Sequence, residues 1–252
     1  MASRPLYEEL DYRQTQLGEL ILRRRTVLAL DNLEVVEIIL NGEHLMSSLF
    51  TAVEIALAHL GLAAAEEAFP NRPLDVVVGG LGLGYTAQAA LEHRSVGSLR
   101  VVDFLEPVIE WHQQERVPLG AELNADPRCE FVHGDFFKMA LADSGQPLFN
   151  ASNPAQRFHA ILLDIDHTPS HHLNEHHAPL YTPEGLHSLA QKIHPGGIFA
   201  MWSDDPPNDD FMSDLRAVFT TTESHVVTFH NPIRDNDSAG TVYIARARSA
   251  TN

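Results

Sequence analysis

The spacing of apolar and polar positions divides the chain into two parts. Over residues 8–48 apolar and polar positions alternate as they do in half-buried strands, and Asn41-Gly42 separates two of the apolar runs. Asn-Gly between apolar runs is a strong hairpin signal. This part predicts a small antiparallel sheet, followed by a helix over residues 49–60 that Ser48 caps.

From residue 74 onward, short apolar runs alternate with helical patterns. The pattern predicts a link at 63–72, strands at 76–79, 99–104, 130–133, 158–164, 197–202, 225–229 and 241–245, helices at 85–93, from Pro107, at 183–193 and 211–219, and a loop at 231–240. Such alternation is typical of a parallel sheet with helices on both faces, and the last strand pair predicts an antiparallel edge. We predict an α/β fold with a mostly parallel seven-stranded sheet, divided into residues 1–62 and 63–252. The polar segment 143–156 is predicted to be an exposed insertion.

A glycine-rich turn follows the first strand of the larger part. Within residues 74–86, a buried strand runs into Gly80, Gly82 and Gly84 and then into a helix. Glycines let the backbone approach a ligand, and a helix N-terminus offers free N–H groups and the positive end of a dipole. The turn therefore predicts a nucleotide site at the carboxyl edge of the sheet.

Acidic residues lie at the end of the second strand and directly after the third, at the same edge. Asp103 lies about 20 residues beyond the turn, where a carboxylate can accept both ribose hydroxyls of a nucleoside. Gly134-Asp135-Phe136 follows the third strand, and Asp135 is placed to meet an adenine amino group while the Phe136 ring packs on the base. An exposed loop aspartate and an ordinary Gly-Asp turn are the alternatives at these positions.

The fourth strand leads to two more carboxylates and a histidine, Asp164, Asp166 and His167. Residues i and i+2 of a strand share a face, so the two carboxylates lie close if the strand continues that far. Proximity of like charges raises the pKa of one of them towards the range of a general base. We predict a negative pocket that holds an ammonium group or takes its proton. The alternative for Asp166 is a cap of the turn before Pro169.

A histidine-rich segment at 171–177 follows. His172 and His176 would share a face if the segment were helical, which is a usable spacing for a metal site. The segment has no apolar face and no third-ligand motif accompanies it. We therefore predict a polar lid over the pocket, or a surface that chelates metal adventitiously, and no bound metal. Asp204, after the fifth strand, is a further candidate for contact with the substrate or for a turn.

Composition narrows the possible partners. The formal charge of −17, from 34 acidic and 17 basic residues, repels phosphate backbones and anionic lipid. We expect a small-molecule substrate that is neutral or cationic, no nucleic acid and no membrane. The single cysteine, Cys129, excludes an intrachain disulfide, and the first residues lack the apolar core of a signal peptide. We expect a cytoplasmic protein.

The order of these motifs over residues 8–246 resembles the spermidine synthase-like branch of the S-adenosylmethionine-dependent methyltransferase fold. Further motifs that match are Leu-Tyr-Thr-Pro-Glu at 180–184 and Pro-Gly-Gly-Ile-Phe at 195–199. The resemblance implies a Rossmann-like fold and S-adenosylmethionine or decarboxylated S-adenosylmethionine as the bound compound. The residues it implies are, for that compound, Gly80, Gly82, Leu83, Gly84, Asp103, Phe104, Gly134, Asp135 and Phe136; for the substrate, Gln14, Glu54, Tyr85, Tyr181 and Asp204; and for catalysis, Asp164, Asp166 and His167.

The chain departs from the spermidine synthase pattern at three places. Leu83 stands where those enzymes usually carry an aspartate that meets the aminopropyl ammonium. Ala52-Val53-Glu54 replaces their Tyr-His-Glu and keeps only the acid, and His167 stands where their second aspartate of the fourth-strand motif would be. Each change removes a recognition element for a diamine or for its aminopropyl donor.

The leading hypothesis is a transferase that moves an aminopropyl or methyl group to a small, amine-type acceptor. Aminopropyl transfer implies methylthioadenosine as a product, and methyl transfer implies S-adenosylhomocysteine. The competing hypothesis is a nucleoside-binding sensor or partner subunit that has lost turnover, and a nicotinamide-dependent oxidoreductase is a distant third. Because spermidine synthases associate through their N-terminal sheets, the resemblance also implies a homodimer.

Overall fold

Two β-sheets form the framework of residues 6–142 and 148–249, the part of the chain that the computed structural model describes. The smaller sheet is antiparallel and contains β1 (Tyr7–Thr15), β2 (Gly18–Val27), β3 (Leu33–Leu40) and β4 (Glu43–Ser47) in that order. Asn41 and Gly42 connect β3 to β4 with positive φ angles of 52° and 83°, as a two-residue type I′ hairpin turn requires. The predicted N-terminal antiparallel sheet is confirmed.

The larger sheet has seven strands and is mostly parallel, as predicted. Its members are β5 (Leu74–Gly79), β6 (Val96–Asp103), β7 (Cys129–His133), β8 (Phe158–Leu163), β9 (Ile193–Ser203), β10 (Thr221–Asn231) and β11 (Asn236–Arg246). The spatial order is β10-β11-β9-β8-β5-β6-β7. Strands β5 to β9 run parallel, whereas β11 is antiparallel to β9 and β10 is antiparallel to β11. The carboxyl ends of the parallel strands therefore meet at one edge.

Seven helices accompany the strands in the described residues. They are α1 (Ala52–Ala68), α2 (Tyr85–Glu92), α3 (Glu106–Gln113), α4 (Gly120–Ala125), α5 (Phe136–Leu141), α6 (Pro183–Ala190) and α7 (Asp209–Val218). Helices α4 and α5 are not among the helices that the sequence pattern predicts. Asp135 caps α5, because its side chain accepts a hydrogen bond from the Lys138 amide at 3.0 Å. None of the helices within the described ranges has both the length and the apolarity needed to cross a bilayer.

Helices cover the large sheet on both faces, since successive side chains of a central strand point to opposite sides. Val76 and Val78 of β5 belong to the apolar cluster that includes α1, α2 and α3. Val77, between them, belongs to the cluster with α5, α6 and α7. All three valine side chains are completely buried, and such burial contributes about 1.5–3 kcal/mol for each.

The first long helix differs from its predicted bounds. The predicted link at 63–72 is wrong over its first half, because α1 continues to Ala68 and passes through the predicted division at residue 62. Gly61 lies within α1 where a Cβ atom would come within 2.7 Å of the Leu162 side chain. The predicted cap is also wrong, because the N-cap of α1 is Thr51 and Ser48 instead accepts a hydrogen bond from the Val36 amide.

Two loop predictions also change. The predicted loop at 231–240 is wrong, since β10 and β11 extend by regular pairing to Asn231 and Asn236 and leave a four-residue turn. Part of the predicted insertion at 143–156 lies outside the described residues, at 143–147. Within the remainder, Leu148 and Phe149 are buried, and Phe149 packs against Phe136 and Phe158.

Candidate active site

A cavity opens between the small sheet and the carboxyl ends of β5, β6 and β8. It encloses about 920 Å³ including its open mouth. Predicted site residues form much of its lining, namely Glu54, Gly80, Gly82, Asp103, Phe104, Asp135, Phe136 and Asp164; apolar residues of the small sheet, such as Leu45 and Met46, close the opposite side. We call this space the first cavity.

The glycine turn holds the backbone of β5 against the end of β8. Gly80 has a φ of +95°, and a Cβ atom on it would lie 2.0 Å from the carbonyl oxygen of Asp164. The Asp164 amide in turn donates to the Gly79 carbonyl at 2.7 Å. Only glycine satisfies both the positive φ and this close approach, so Gly80 sets the floor of the first cavity. Gly84, with a φ of +93°, is the N-cap of α2.

Besides Gly84, two of the residues predicted to bind the adenosyl compound stand away from the cavity lining. Leu83 is completely buried and packs in the apolar core beneath the turn. Gly134 donates its amide to the Asp103 carbonyl at 2.9 Å, and a Cβ atom on it would meet the Met139 side chain. Both residues shape the backbone around the site, and neither belongs to the surface of the first cavity.

Asp103 supports the glycine turn from below. Its Oδ2 accepts from the Leu81 amide at 2.9 Å and its Oδ1 from the Leu105 amide at 2.8 Å. Burial raises the pKa of Asp103, and these backbone N–H groups oppose the increase. Because a carboxylate offers about four lone-pair sites, two such bonds leave acceptor capacity toward the cavity that Asp103 lines.

Asp135 presents an incompletely bonded oxygen. Its Oδ1 caps α5, whereas the buried Oδ2 has no hydrogen bond within the described residues. Lys138 Nζ lies 3.3 Å and His176 Nε2 lies 3.5 Å from this oxygen. The neighbouring Phe136 ring is buried against Gly79 and also lines the first cavity. An acceptor next to an aromatic wall suits the amino edge of a planar base.

Asp164 lies past the end of β8 and faces the first cavity. Its Oδ2 accepts a hydrogen bond from Thr86 Oγ1 at 2.5 Å. Burial raises its pKa to about 6, and the Thr86 hydroxyl opposes that increase. The predicted cause of a raised pKa, proximity of Asp164 to Asp166, is wrong, because Asp166 is not among the groups that shift the pKa of Asp164. The like charge next to Asp164 is Glu54, whose pKa is raised to about 8, first by burial and then by Asp164 and Asp204.

Asp166 is the centre of a buried hydrogen-bond network. It receives hydrogen bonds from the Leu173 amide at 2.7 Å and from the Tyr181 hydroxyl at 2.8 Å, and His177 Nδ1 lies 2.8 Å away. The strand ends at Leu163, so the predicted sharing of a face by the two carboxylates does not occur. Asp166 and Tyr181 do not line the first cavity; they hold the histidine segment in place.

The histidine segment closes one side of the first cavity, as a polar lid would. Leu173, His176 and His177 line that side, and the His177 ring stacks on Phe137 with centroids 3.6 Å apart. Within residues 6–142 and 148–249, no group of three or more His, Cys, Asp or Glu side chains is arranged to hold a metal ion.

A second, more open cavity adjoins the first. It encloses about 1540 Å³ including open solvent and is lined by, among others, Arg25, Glu37, Phe50, Glu54, His167, Trp202, Asp204, Phe229 and Arg234. Glu54 and Trp202 line both cavities. His167 Nδ1 lies 4.0 Å from Asp204 Oδ2. We call this space the second cavity.

The remaining predicted substrate residues differ in position. Tyr85 begins α2 and is half-buried, and burial followed by Glu54 raises its pKa. Gln14 is exposed on β1, where its Oε1 lies 3.4 Å from the Tyr12 hydroxyl. Gln14 lines neither cavity.

The sequence motifs do not mark Thr86 or Trp202 as site residues. Thr86 is in the first turn of α2, directly after the glycine turn, and its bond to Asp164 spans 78 residues of sequence. Trp202 is the residue before Ser203 at the end of β9, and its buried Nε1 has no hydrogen-bond partner within the described residues. Their positions beside recognised motifs are the signal that could have marked both.

Comparison with known proteins gives three informative likenesses, while no protein-family model matches the chain. Polyamine aminopropyltransferase 2 of Pseudomonas aeruginosa is 26% identical over 168 residues, which cover 63% of this chain and 43% of that protein. A spermidine synthase in complex with the transition-state analogue AdoDATO has a TM-score of 0.67 at 18% identity, covering 94% of this chain and 73% of that one. Human methyltransferase-like protein 13 in complex with SAH has a TM-score of 0.53 at 15% identity, with 80% and 83% covered.

The aligned region is thus less than half of the aminopropyltransferase. At 94% of this chain, the likeness to the solved synthase extends over the small sheet as well as the large one.

Proposed function

The chain has the spermidine synthase-like form of the S-adenosylmethionine-dependent methyltransferase fold, and on that premise we propose that it is an alkyl transferase. The first cavity binds S-adenosylmethionine or its decarboxylated form, and the second cavity binds a small amine acceptor. The alkyl group, aminopropyl or methyl, is transferred from the adenosyl compound in the first cavity to the acceptor in the second.

The observation that carries the proposal is the position of Glu54. Its side chain lines both cavities, and it is close enough to Asp164 and Asp204 for their charges to raise its pKa. Three carboxyl groups thus surround the junction where a nucleophile from one cavity would meet a reactive carbon in the other. An ammonium group at this junction would compensate their charge.

The sulfonium supplies the activation, because its sulfur leaves as a neutral thioether. The acceptor nitrogen must first lose a proton, and Asp164, with a pKa of about 6, is the base that we assign to this step. The N–C bond then forms as the C–S bond breaks, and the bonding electron pair remains on sulfur. The remaining contribution of the protein is alignment of nitrogen, carbon and sulfur by the two cavities.

Product analysis tests the proposal. The purified protein is incubated with S-adenosylmethionine or with decarboxylated S-adenosylmethionine and a panel of small amines, and the nucleoside is identified by mass spectrometry. Methylthioadenosine indicates aminopropyl transfer, and S-adenosylhomocysteine indicates methyl transfer. If both nucleosides bind in calorimetry but neither product forms with any amine, the proposal of catalysis is wrong and a nucleoside-binding protein remains.

Replacement of Glu54 with glutamine is expected to flatten the pH dependence of stability. The Glu54 pKa is about 8 in the folded protein against 4.5 ordinarily. Between these values the folded state retains a proton that the unfolded chain releases, so the free energy of unfolding decreases as pH rises. Glutamine does not ionise. Melting temperatures measured from about pH 5 to about pH 8 should therefore fall less steeply for Glu54→Gln than for the wild type; parallel curves would show that Glu54 titrates normally.

A further inference from the structure

The second cavity combines acidic and basic side chains, which is unexpected in a chain with twice as many acidic as basic residues. We infer that its ligand is zwitterionic: an acceptor with an amine at one end and a carboxylate at the other. This inference rests on the proposed function and specifies the class of acceptor. It departs from the diamine that a purely acidic cavity would favour.

Acidic groups line both the junction and the rest of the second cavity, whereas the arginines line the second cavity only. Glu54 belongs to the lining shared with the first cavity, whereas Arg25 and Arg234 line the second cavity only. An amine directed at the junction therefore leaves the other end of the ligand in the second cavity, whose lining includes both guanidinium groups. A carboxylate there pairs with arginine, while a second ammonium would be repelled.

Arg25 is held in place by a buried carboxylate. Glu37 is 1% exposed, and its two oxygens accept from Arg25 Nε at 2.8 Å and from Arg23 Nε at 2.7 Å. Two guanidinium groups thus share one carboxylate, which leaves a net positive charge. Because Arg25 uses Nε for this bond, its terminal amino groups remain as donors of the guanidinium fork.

Arg234 is carried by a hydrogen-bonded turn between β10 and β11. The Asn231 side chain is buried, and its Oδ1 accepts from the Ile233 and Arg234 amides, both at 3.1 Å. Its Nδ2 group donates to Ser238 Oγ at 3.2 Å. These bonds fix the backbone from which Arg234 reaches the second cavity.

Aromatic side chains complete the surface of the second cavity and favour a ligand with an apolar body. Phe50 and Phe229 line the second cavity with their ring centroids 6.2 Å apart, and Trp202 lies at the junction. Methylene groups between an amine and a carboxylate would pack against these rings. The class of acceptor that fits is an amino acid with a short carbon chain.

Two ligands of equal carbon chain length test the inference, 4-aminobutyrate and 1,4-diaminobutane. Their binding is measured by titration calorimetry to the full chain saturated with methylthioadenosine, a readout that does not need turnover. The wild type is expected to bind 4-aminobutyrate about tenfold more tightly than the diamine. Arg234→Gln should weaken 4-aminobutyrate binding about tenfold and leave diamine binding equal or tighter, because a repelling charge is gone. Arg216→Gln, an exposed arginine on α7 that lines neither cavity, makes the same charge change and should alter neither.

The possible failures are distinguishable. Tighter binding of the diamine than of 4-aminobutyrate by the wild type, or an equal effect of Arg234→Gln on both ligands, overturns the zwitterion inference and leaves the proposed transferase intact. Failure of the protein to bind methylthioadenosine, S-adenosylhomocysteine or either adenosyl donor overturns the proposed function and the inference with it.

Discussion

Replacing Gly80 with alanine is expected to destabilise the protein by about 2–5 kcal/mol and to abolish nucleoside binding. Two costs add. The φ of +95° is a left-handed conformation that a residue with a Cβ atom rarely adopts, and the new Cβ would lie 2.0 Å from the Asp164 carbonyl oxygen. That oxygen belongs to the backbone, so it cannot move aside as the end of a flexible side chain could. Any relief must separate β5 from the end of β8, where the first cavity is formed.

The matched control is Gly196→Ala. Gly196 has a similar φ of +80°, but no atom lies within 4 Å of the position a Cβ would occupy. This variant therefore carries only the conformational cost, about 1–2 kcal/mol, and should keep nucleoside binding. Chemical denaturation gives both free energies of unfolding, and calorimetry with methylthioadenosine gives binding. Equal destabilisation of the two variants would show that the approach of Gly80 to Asp164 is unimportant.

Replacing Asp164 with asparagine is expected to lower kcat by roughly 10²–10⁴-fold while nucleoside binding is retained. Asparagine keeps an oxygen that can accept the Thr86 hydroxyl, so the local structure should persist. It cannot take a proton from the acceptor amine. In the wild type, kcat should rise with pH through about 6 as Asp164 loses its proton, and this rise should be absent from the residual activity of the variant.

Asp205→Asn serves as the control for Asp164→Asn. Asp205 is an exposed carboxylate in the loop after β9, and it lines neither cavity. Its replacement with asparagine removes the same charge as Asp164→Asn does. Its kcat and pH profile should match those of the wild type. Unchanged turnover of Asp164→Asn would show that Asp164 is not the base, and that alignment by the two cavities accounts for the rate.

Much of the fold is predictable from local sequence patterns. The extended conformation of β3, the Asn41-Gly42 turn and the buried valines of β5 depend on neighbours only a few residues away, so they can be predicted from the sequence. The glycine turn and the acids at or directly after the ends of β6, β7 and β8 are predictable for the same reason. Parallel strands bring their carboxyl ends to one edge, which makes the general position of the site predictable.

The hydrogen-bond and charge partners of individual side chains are less predictable from the sequence. Asp164 and Asp166 are two residues apart, and a pattern of period two suggested a pair. Because β8 ends at Leu163, one of them faces the first cavity and the other turns into the network with Tyr181. Local periodicity does not predict the last residue of a strand to within one or two positions. The exact end of β8 nevertheless decides that the two carboxylates have different roles.

The sequence by itself determined the α/β class, the antiparallel unit before it, and an edge of the large sheet suited to a nucleoside. Tertiary structure alone brought Glu54 of α1 to Asp164, Thr86 beneath the same carboxylate, and Arg25 and Arg234 to one cavity. The physical reason is the separation along the sequence of the residues that each interaction joins. Backbone periodicity and turn chemistry act over a few residues, whereas charge, burial and hydrogen bonding act between groups that only the packing of distant segments brings together.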